Sequence, residues 1–151
     1  MSAMNASERT VLAFIPSFRY EDALGAIDFL CRAFGFEKHA VYESSPGVVE
    51  HAQLKIGDHF IMLGSSRDDG YPSKSPRELG GTTGGVYVVL ERDEDVDAHC
   101  KRARAAGAEI LREPESPDYG GRGYSARDPE GYLWSFGSYR PESAHQSDAS
   151  A

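Results

Sequence analysis

The chain has 151 residues and a formal net charge of −8, from 24 Asp and Glu set against 16 Lys and Arg. That length carries one domain with a sizeable core. An acidic chain without a basic stripe is a poor match for nucleic acid or an anionic membrane surface, and no apolar run approaches the roughly 20 residues that span a bilayer.

Residues 1–10 are small and polar. They have neither a basic n-region nor an apolar h-region, so they read as a short disordered lead-in rather than a secretory signal. Val11 to Tyr20 is apolar and aromatic and predicts the first strand, with Pro16 pointing to an edge position or a hinge. Glu21 and Asp22 place negative charge where a helix dipole favours it. The first helix follows, with Ala23, Ile27, Leu30 and Phe34 at helical spacing and Gly35 closing it. Phe36 to Glu43 predicts a second strand. Val48 to Ile56 alternates as a third, with Ala52, Leu54 and Ile56 on one face and His51, Gln53 and Lys55 on the other. A hairpin at Gly57-Asp58 leads into a fourth strand, His59 to Leu63. The stretch from Gly64 to Gly85 holds six Gly and two Pro. It reads as a linker, long enough to lie over a site.

The pattern then repeats. Val86 to Leu90 predicts a strand, and Asp93, Glu94 and Asp95 put acid at a second helix start. Val96, Cys100 and Ala103 form its apolar stripe, and Gly107 ends it. Ala108 to Leu111 predicts a strand, and residues 113–123 a Pro/Gly loop. Tyr124 to Arg127 predicts another strand, Asp128-Pro129-Glu130-Gly131 a tight turn, and Tyr132 to Tyr139 the last strand. Alternation puts Trp134 and Phe136 on one face of it and Ser135 on the other. Residues 141–151 read as a disordered tail. Gly35 and Gly107 lie close to half a chain length apart, so the organisation is one domain over 11–140: module one at 11–64, a linker at 65–84, and module two at 85–140. A duplication of this size points to two similar modules, with a ligand groove between them.

Cys31 and Cys100 fall within the helical stretches and lack the spacing of a metal knuckle or a redox pair. Two reduced, largely buried thiols are expected, which suits a cytoplasmic protein.

With these residues in order, the chain resembles the vicinal oxygen chelate superfamily: the glyoxalase I, bleomycin-resistance and extradiol-dioxygenase group. The carriers are the helix ending Ala33-Phe34-Gly35-Phe36, the segment Asp95-Val96-Asp97 leading to Ala105-Ala106-Gly107-Ala108, and the Asp128-Pro129-Glu130-Gly131 turn before a strand. The resemblance covers about residues 11–140. It implies an α+β fold of two tandem βαβββ modules, curled as a mixed sheet around a cleft, and commonly a homodimer.

Metal-dependent members of that superfamily place His, Glu or Gln ligands on four cleft-facing strands. A divalent ion there binds two adjacent substrate oxygens or activates dioxygen. The corresponding positions fall on Ile15, Met62, Gly85 and Ser135, and a shift of one residue either way finds no better donors. The resemblance is therefore to a non-metal-type member, and neither a metal nor another cofactor is expected.

The expected ligand-binding residues are His51, Gln53, Arg19, Met62, Tyr87, Tyr119, Arg122, Tyr124 and Ser135. His51 and Gln53 share the face opposite the core face of the third strand. Arg19 shares a face of the first strand with Ile15. The loop Tyr119-Gly120-Gly121-Arg122-Gly123-Tyr124 combines close backbone approach with side chains that stack on a planar group or clamp an anion. His99 is expected outside the cleft, on the second helix. The expected function is a metal-independent protein of the bleomycin-resistance kind, holding a planar or hydrophobic small molecule in the inter-module or dimer groove. The alternative is a glyoxalase-like lyase or isomerase, or an oxygenase, with an atypical site that uses His51. Alternation alone leaves open whether His51 is functional or an ordinary polar residue on a half-exposed face.

Overall fold

A computed structural model of the chain describes residue 5 and residues 10–143. It has two four-stranded mixed sheets, each with one long helix. The first module runs β1 (Ser17–Tyr20), α1 (Ala23–Phe34), β2 (Glu37–Ser45), β3 (Val48–Ile56) and β4 (His59–Ser65). A four-residue helix, α2 (Pro76–Leu79), lies in the connection. The second module runs β5 (Gly85–Val89), α3 (Asp93–Ala105), β6 (Glu109–Glu115), β7 (Gly123–Arg127) and β8 (Leu133–Gly137). The sheet orders are β1-β4-β3-β2 and β5-β8-β7-β6, with β1–β4 and β5–β8 parallel and the rest antiparallel. This is the expected βαβββ unit, twice.

The differences from the sequence reading are local. The first strand becomes regular only at Ser17, because Pro16 has no N–H to give a ladder; its carbonyl still accepts from Met62 N–H at 3.0 Å. Leu12 and Phe14, upstream of it, are 95% and 92% exposed. The fourth strand continues through Gly64 and Ser65 into the expected linker. In that linker, Ser75 and Glu78 form a capping box that starts α2 at Pro76. The expected tail lies mostly outside the described residues.

Both helices end near the duplicated glycines. Gly35 caps α1 directly with φ 87°, a left-handed conformation that glycine takes without strain. In α3 the cap is Ala106, and Gly107 follows it with φ 97°. The N-terminus of α1 is capped by Asp22, whose carboxylate accepts from Gly25 N–H at 3.0 Å.

The helix-facing sides of both sheets merge into one core. Phe34 of α1 lies 5.3 Å from Trp134 and 4.8 Å from Phe136, ring centre to ring centre, and all three are fully buried. Burial of each such side chain contributes about 1.5–3 kcal/mol. The expected stripes, Ala23/Ile27/Leu30/Phe34 and Val96/Cys100/Ala103, are all buried there. Cys100 is buried, Cys31 half-buried, and the two are unpaired.

Polar groups lock the modules together as well. Glu130 accepts from the N–H groups of Glu21 and Asp22, both at 2.7 Å. Asp128 accepts from the Tyr20 hydroxyl at 2.6 Å and from Trp134 Nε1–H at 3.1 Å, and its other oxygen takes the N–H groups of Glu130, Gly131 and Tyr132. The tight turn is thus also a clamp: two nearly buried carboxylates with every contact supplied by a donor.

The other end of α1 is held from α3. Arg102 donates to the carbonyls of Arg32 and Cys31, at 2.9 and 3.1 Å, and His99 reaches the carbonyl of Phe34 at 3.2 Å. Last-turn carbonyls have no partner inside their own helix. The Tyr124 hydroxyl lies 2.5 Å from the other ring nitrogen of His99. A carbonyl only accepts, so Nε2 carries the proton and Nδ1 accepts from Tyr124.

Candidate functional site

Cross-strand partners share a face, so the pairing defines the side of each sheet turned away from the helices. On the first sheet Ser17, Met62, Gln53 and Ala40 form one transverse row, with Arg19 and His51 on neighbouring rows. On the second sheet the equivalent row is Tyr87, Ser135, Ser125 and Arg112, one residue from each strand.

Arg19, Met62, Gln53 and His51 fall on the first of these surfaces. Arg19 keeps only 11% of its side chain exposed. It donates to Asp69 at 2.9 Å and to the Ser65 carbonyl at 3.3 Å, and lies 5.8 Å from the centre of the Tyr71 ring. The hydrogen bond from Arg19 holds the Asp69 carboxyl below its usual range. His51 Nε2 is 3.1 Å from the Gln53 amide nitrogen, and the Tyr42 ring is stacked at 6.3 Å. The amide nitrogen is a donor, so this geometry leaves the His51 nitrogen as acceptor.

The second surface holds a cavity of about 220 Å³, lined by module-two residues alone. Its floor is the Ser125–Ser135 hydroxyl pair, 2.9 Å apart. Tyr87 lies along one side, its hydroxyl donating to the Tyr139 carbonyl at 2.7 Å. Gly137 makes room for this, because a Cβ there would sit 2.7 Å from the Tyr87 hydroxyl. Tyr119 meets Tyr139 edge-on at 5.4 Å. Arg122 fixes the loop between β6 and β7 through a bidentate pair with Asp97 (2.8 and 2.9 Å) and a bond to Ser116. Those bonds lower the Asp97 carboxyl below its usual range.

Tyr87, Ser135, Tyr119 and Arg122 therefore border one cavity. Tyr124 also lines the cavity, but it is nearly buried, with its ring on the helix-facing side between His99 and Phe136. It pairs with Phe136, so it shares that residue's core face. Its hydroxyl is held strongly protonated by burial. The sequence reading missed Arg112, Glu115 and Tyr139, which also line the cavity. Bulges within β6 hide the parity of Arg112 and Glu115 from simple alternation.

The donor set at the superfamily's metal positions does not fit a divalent ion. Ile15 and Gly85 offer no side-chain donor, Met62 a thioether and Ser135 one hydroxyl, where such an ion takes several carboxylates or imidazoles. Among the described residues no group of three or more His, Cys, Asp or Glu is placed to hold a metal.

Comparison with known proteins agrees with the architecture. Residues 16–136 match the family described as the Glyoxalase/Bleomycin resistance protein/Dioxygenase superfamily. An uncharacterized protein of Mycobacterium bovis is 33% identical over 127 residues, covering 83% of this chain and 82% of the relative. The crystal structure of TioX from Micromonospora sp. ML1 is similar at 32% identity and a TM-score of 0.64, covering 83% of this chain and 94% of that one. The fosfomycin resistance protein FosX from Listeria monocytogenes, solved with Mn(II) and a dihydroxypropylphosphonic acid, has a TM-score of 0.66 at 18% identity, covering 88% of this chain and 93% of its own. At that identity the likeness concerns the fold.

Proposed function

This chain belongs to the glyoxalase/bleomycin resistance/dioxygenase superfamily, and we propose that it is a metal-independent small-molecule binding protein of that group. The ligand is planar or hydrophobic and lies on the helix-free face of the second sheet, among Tyr87, Tyr119 and Tyr139. The observation that carries this reading is the donor set. The Met62 and Ser135 rows present a thioether, an amide, hydroxyls and rings, which suit binding and not the coordination of a divalent ion.

We extend the proposal to a homodimer in the cytoplasm. The cavity draws no lining from module one, whose own helix-free face carries Arg19, His51, Gln53 and Met62; a second copy can bring that face to the cavity. Leu12 and Phe14 are apolar and almost wholly exposed, as a surface awaiting a partner would be. Two unpaired cysteines suit a reducing compartment.

The test has two arms. Elemental analysis of protein purified without chelator is expected to find no stoichiometric divalent metal; one metal per chain would overturn the reading. A thermal-shift screen of planar hydrophobic compounds is expected to raise Tm for some of them, since a ligand of the folded state stabilises it by mass action. A screen with no hits would count against binding. Metal-free turnover of a screened compound that is lost in His51→Ala would favour the lyase or oxygenase alternative instead.

A further inference from the structure

We propose that the cavity on the second sheet selects a planar aromatic monocarboxylate, with Arg112 as the carboxylate's counter-ion. This rests on the small-molecule reading above and names the ligand class for the same site.

Tyr87, Ser135, Ser125 and Arg112 are successive cross-strand partners, so all four project from one face along one line. Neighbouring backbones are roughly 5 Å apart, so the row spans roughly 15 Å between its end backbones. The Tyr87 ring and the long Arg112 side chain shorten that span from both ends. What remains suits a molecule with an aromatic body and one polar end.

Each position supplies a different chemistry. At one end Tyr87, with Tyr139 and Tyr119 beyond it, offers aromatic faces and edges for a flat ring system. In the middle, one O–H of the Ser125–Ser135 pair is used between the two hydroxyls. The other is left to donate to a carbonyl or ring heteroatom. At the far end is a guanidinium whose planar fork matches a carboxylate.

The arginines divide by partner. Arg122, also in the cavity wall, is neutralised by Asp97. Among the described residues Arg112 has no carboxylate partner. Glu115, three residues on, lines the adjacent row opposite Gly123 and is likewise not ion-paired. One guanidinium without a carboxylate partner, with one carboxylate on the adjacent row, favours a single negative charge and disfavours a dianion such as a phosphate monoester.

The probes are 1-naphthoate and its neutral isostere 1-naphthamide, titrated calorimetrically into the full chain at low salt. The expected result is a preference of at least about tenfold for the carboxylate. Arg112→Gln is expected to abolish that preference, lowering naphthoate affinity by at least about tenfold more than naphthamide affinity. Arg112 is exposed, so its replacement leaves the core intact; the urea midpoint of the variant checks this. Equal binding of both probes to the unaltered protein, or a preference that survives in Arg112→Gln, overturns the proposal and leaves the small-molecule reading standing. Absence of naphthoate binding at millimolar concentration also overturns it. If the wider thermal-shift screen is empty too, the small-molecule reading falls with it.

Discussion

The Tyr132 hydroxyl bridges the backbone of Arg19: it accepts from Arg19 N–H at 3.1 Å and donates to the Arg19 carbonyl at 3.0 Å. β1 is an end strand of its sheet. Pro16 and Tyr20 give their carbonyls to the side of β4, so Arg19 points its own N–H and carbonyl outward. A side chain from the second module thus occupies a place where another strand could pair. The same ring packs edge-on against Phe18 at 4.8 Å and Tyr20 at 5.0 Å.

Tyr132→Phe keeps those ring contacts and removes both hydrogen bonds. The expected cost is about 1–3 kcal/mol, the range for part-buried backbone groups left without partners. Urea unfolding measures it as a lower midpoint at constant slope. An unchanged midpoint would show that water replaces the hydroxyl at no cost.

Asp128→Asn tests the clamp. The carboxylate accepts from five donors, and an amide must turn its NH2 toward some of them. Trp134 Nε1–H and the three backbone N–H groups cannot accept. One side of the network therefore faces donor against donor, at an expected cost of about 1–3 kcal/mol. Thermal unfolding should show a Tm lower by several degrees, while Arg127→Gln, which breaks only an exposed pair with Glu109, should leave it unchanged.

His99 predicts a pH dependence. Burial is the main cause that lowers its pKa from the ordinary 6.5. Below pH 6.5 the unfolded chain therefore binds more protons at this site than the folded one, and stability falls as pH drops toward the folded-state pKa. Above pH 6.5 both states are neutral there and the contribution is complete. Protonation would also remove the nitrogen that accepts from Tyr124. Urea midpoints between pH 5 and 8 should fall on the acid side, with a shallower slope in His99→Gln. Identical slopes would assign the acid sensitivity to other groups.

Arg122→Gln separates cavity order from stability. The Arg122–Asp97 pair is partly exposed, so solvent screens it and the urea midpoint should move little. The loop over residues 116–122 loses its two bonds to Asp97 and the one to Ser116. Faster amide hydrogen exchange at Tyr119 to Gly121 is the expected readout. Unchanged exchange would mean that the Ser138 contact to the Arg122 backbone, at 2.9 Å, holds the loop alone.

Much of the fold was legible because it is written in local periods. Ile27, Leu30 and Phe34 repeat at the helical period, and His51 and Gln53 alternate with Ala52 and Leu54 at the strand period. Gly35 marks a helix end that needs a left-handed residue. The same alternation applied to Tyr124 and Ala126, counted back through the Asp128 turn from Trp134, places Tyr124 in the core. Arg112 was not legible in this way, since a bulge beside it breaks the alternation from which a face is inferred.

The βαβββ repeat, the buried stripes and the poor ligand chemistry of Ile15, Met62, Gly85 and Ser135 follow from the order and kind of residues along the chain. Each is a property of neighbours in the chain or of side-chain identity. Folding is what brings Glu130 to the start of α1, His99 and Arg102 to its end, and Tyr87, Ser135, Ser125 and Arg112 into one row. Those relations join residues far apart in the chain. They depend on how two sheets align strand by strand and on which side chains the shared core brings within hydrogen-bond distance.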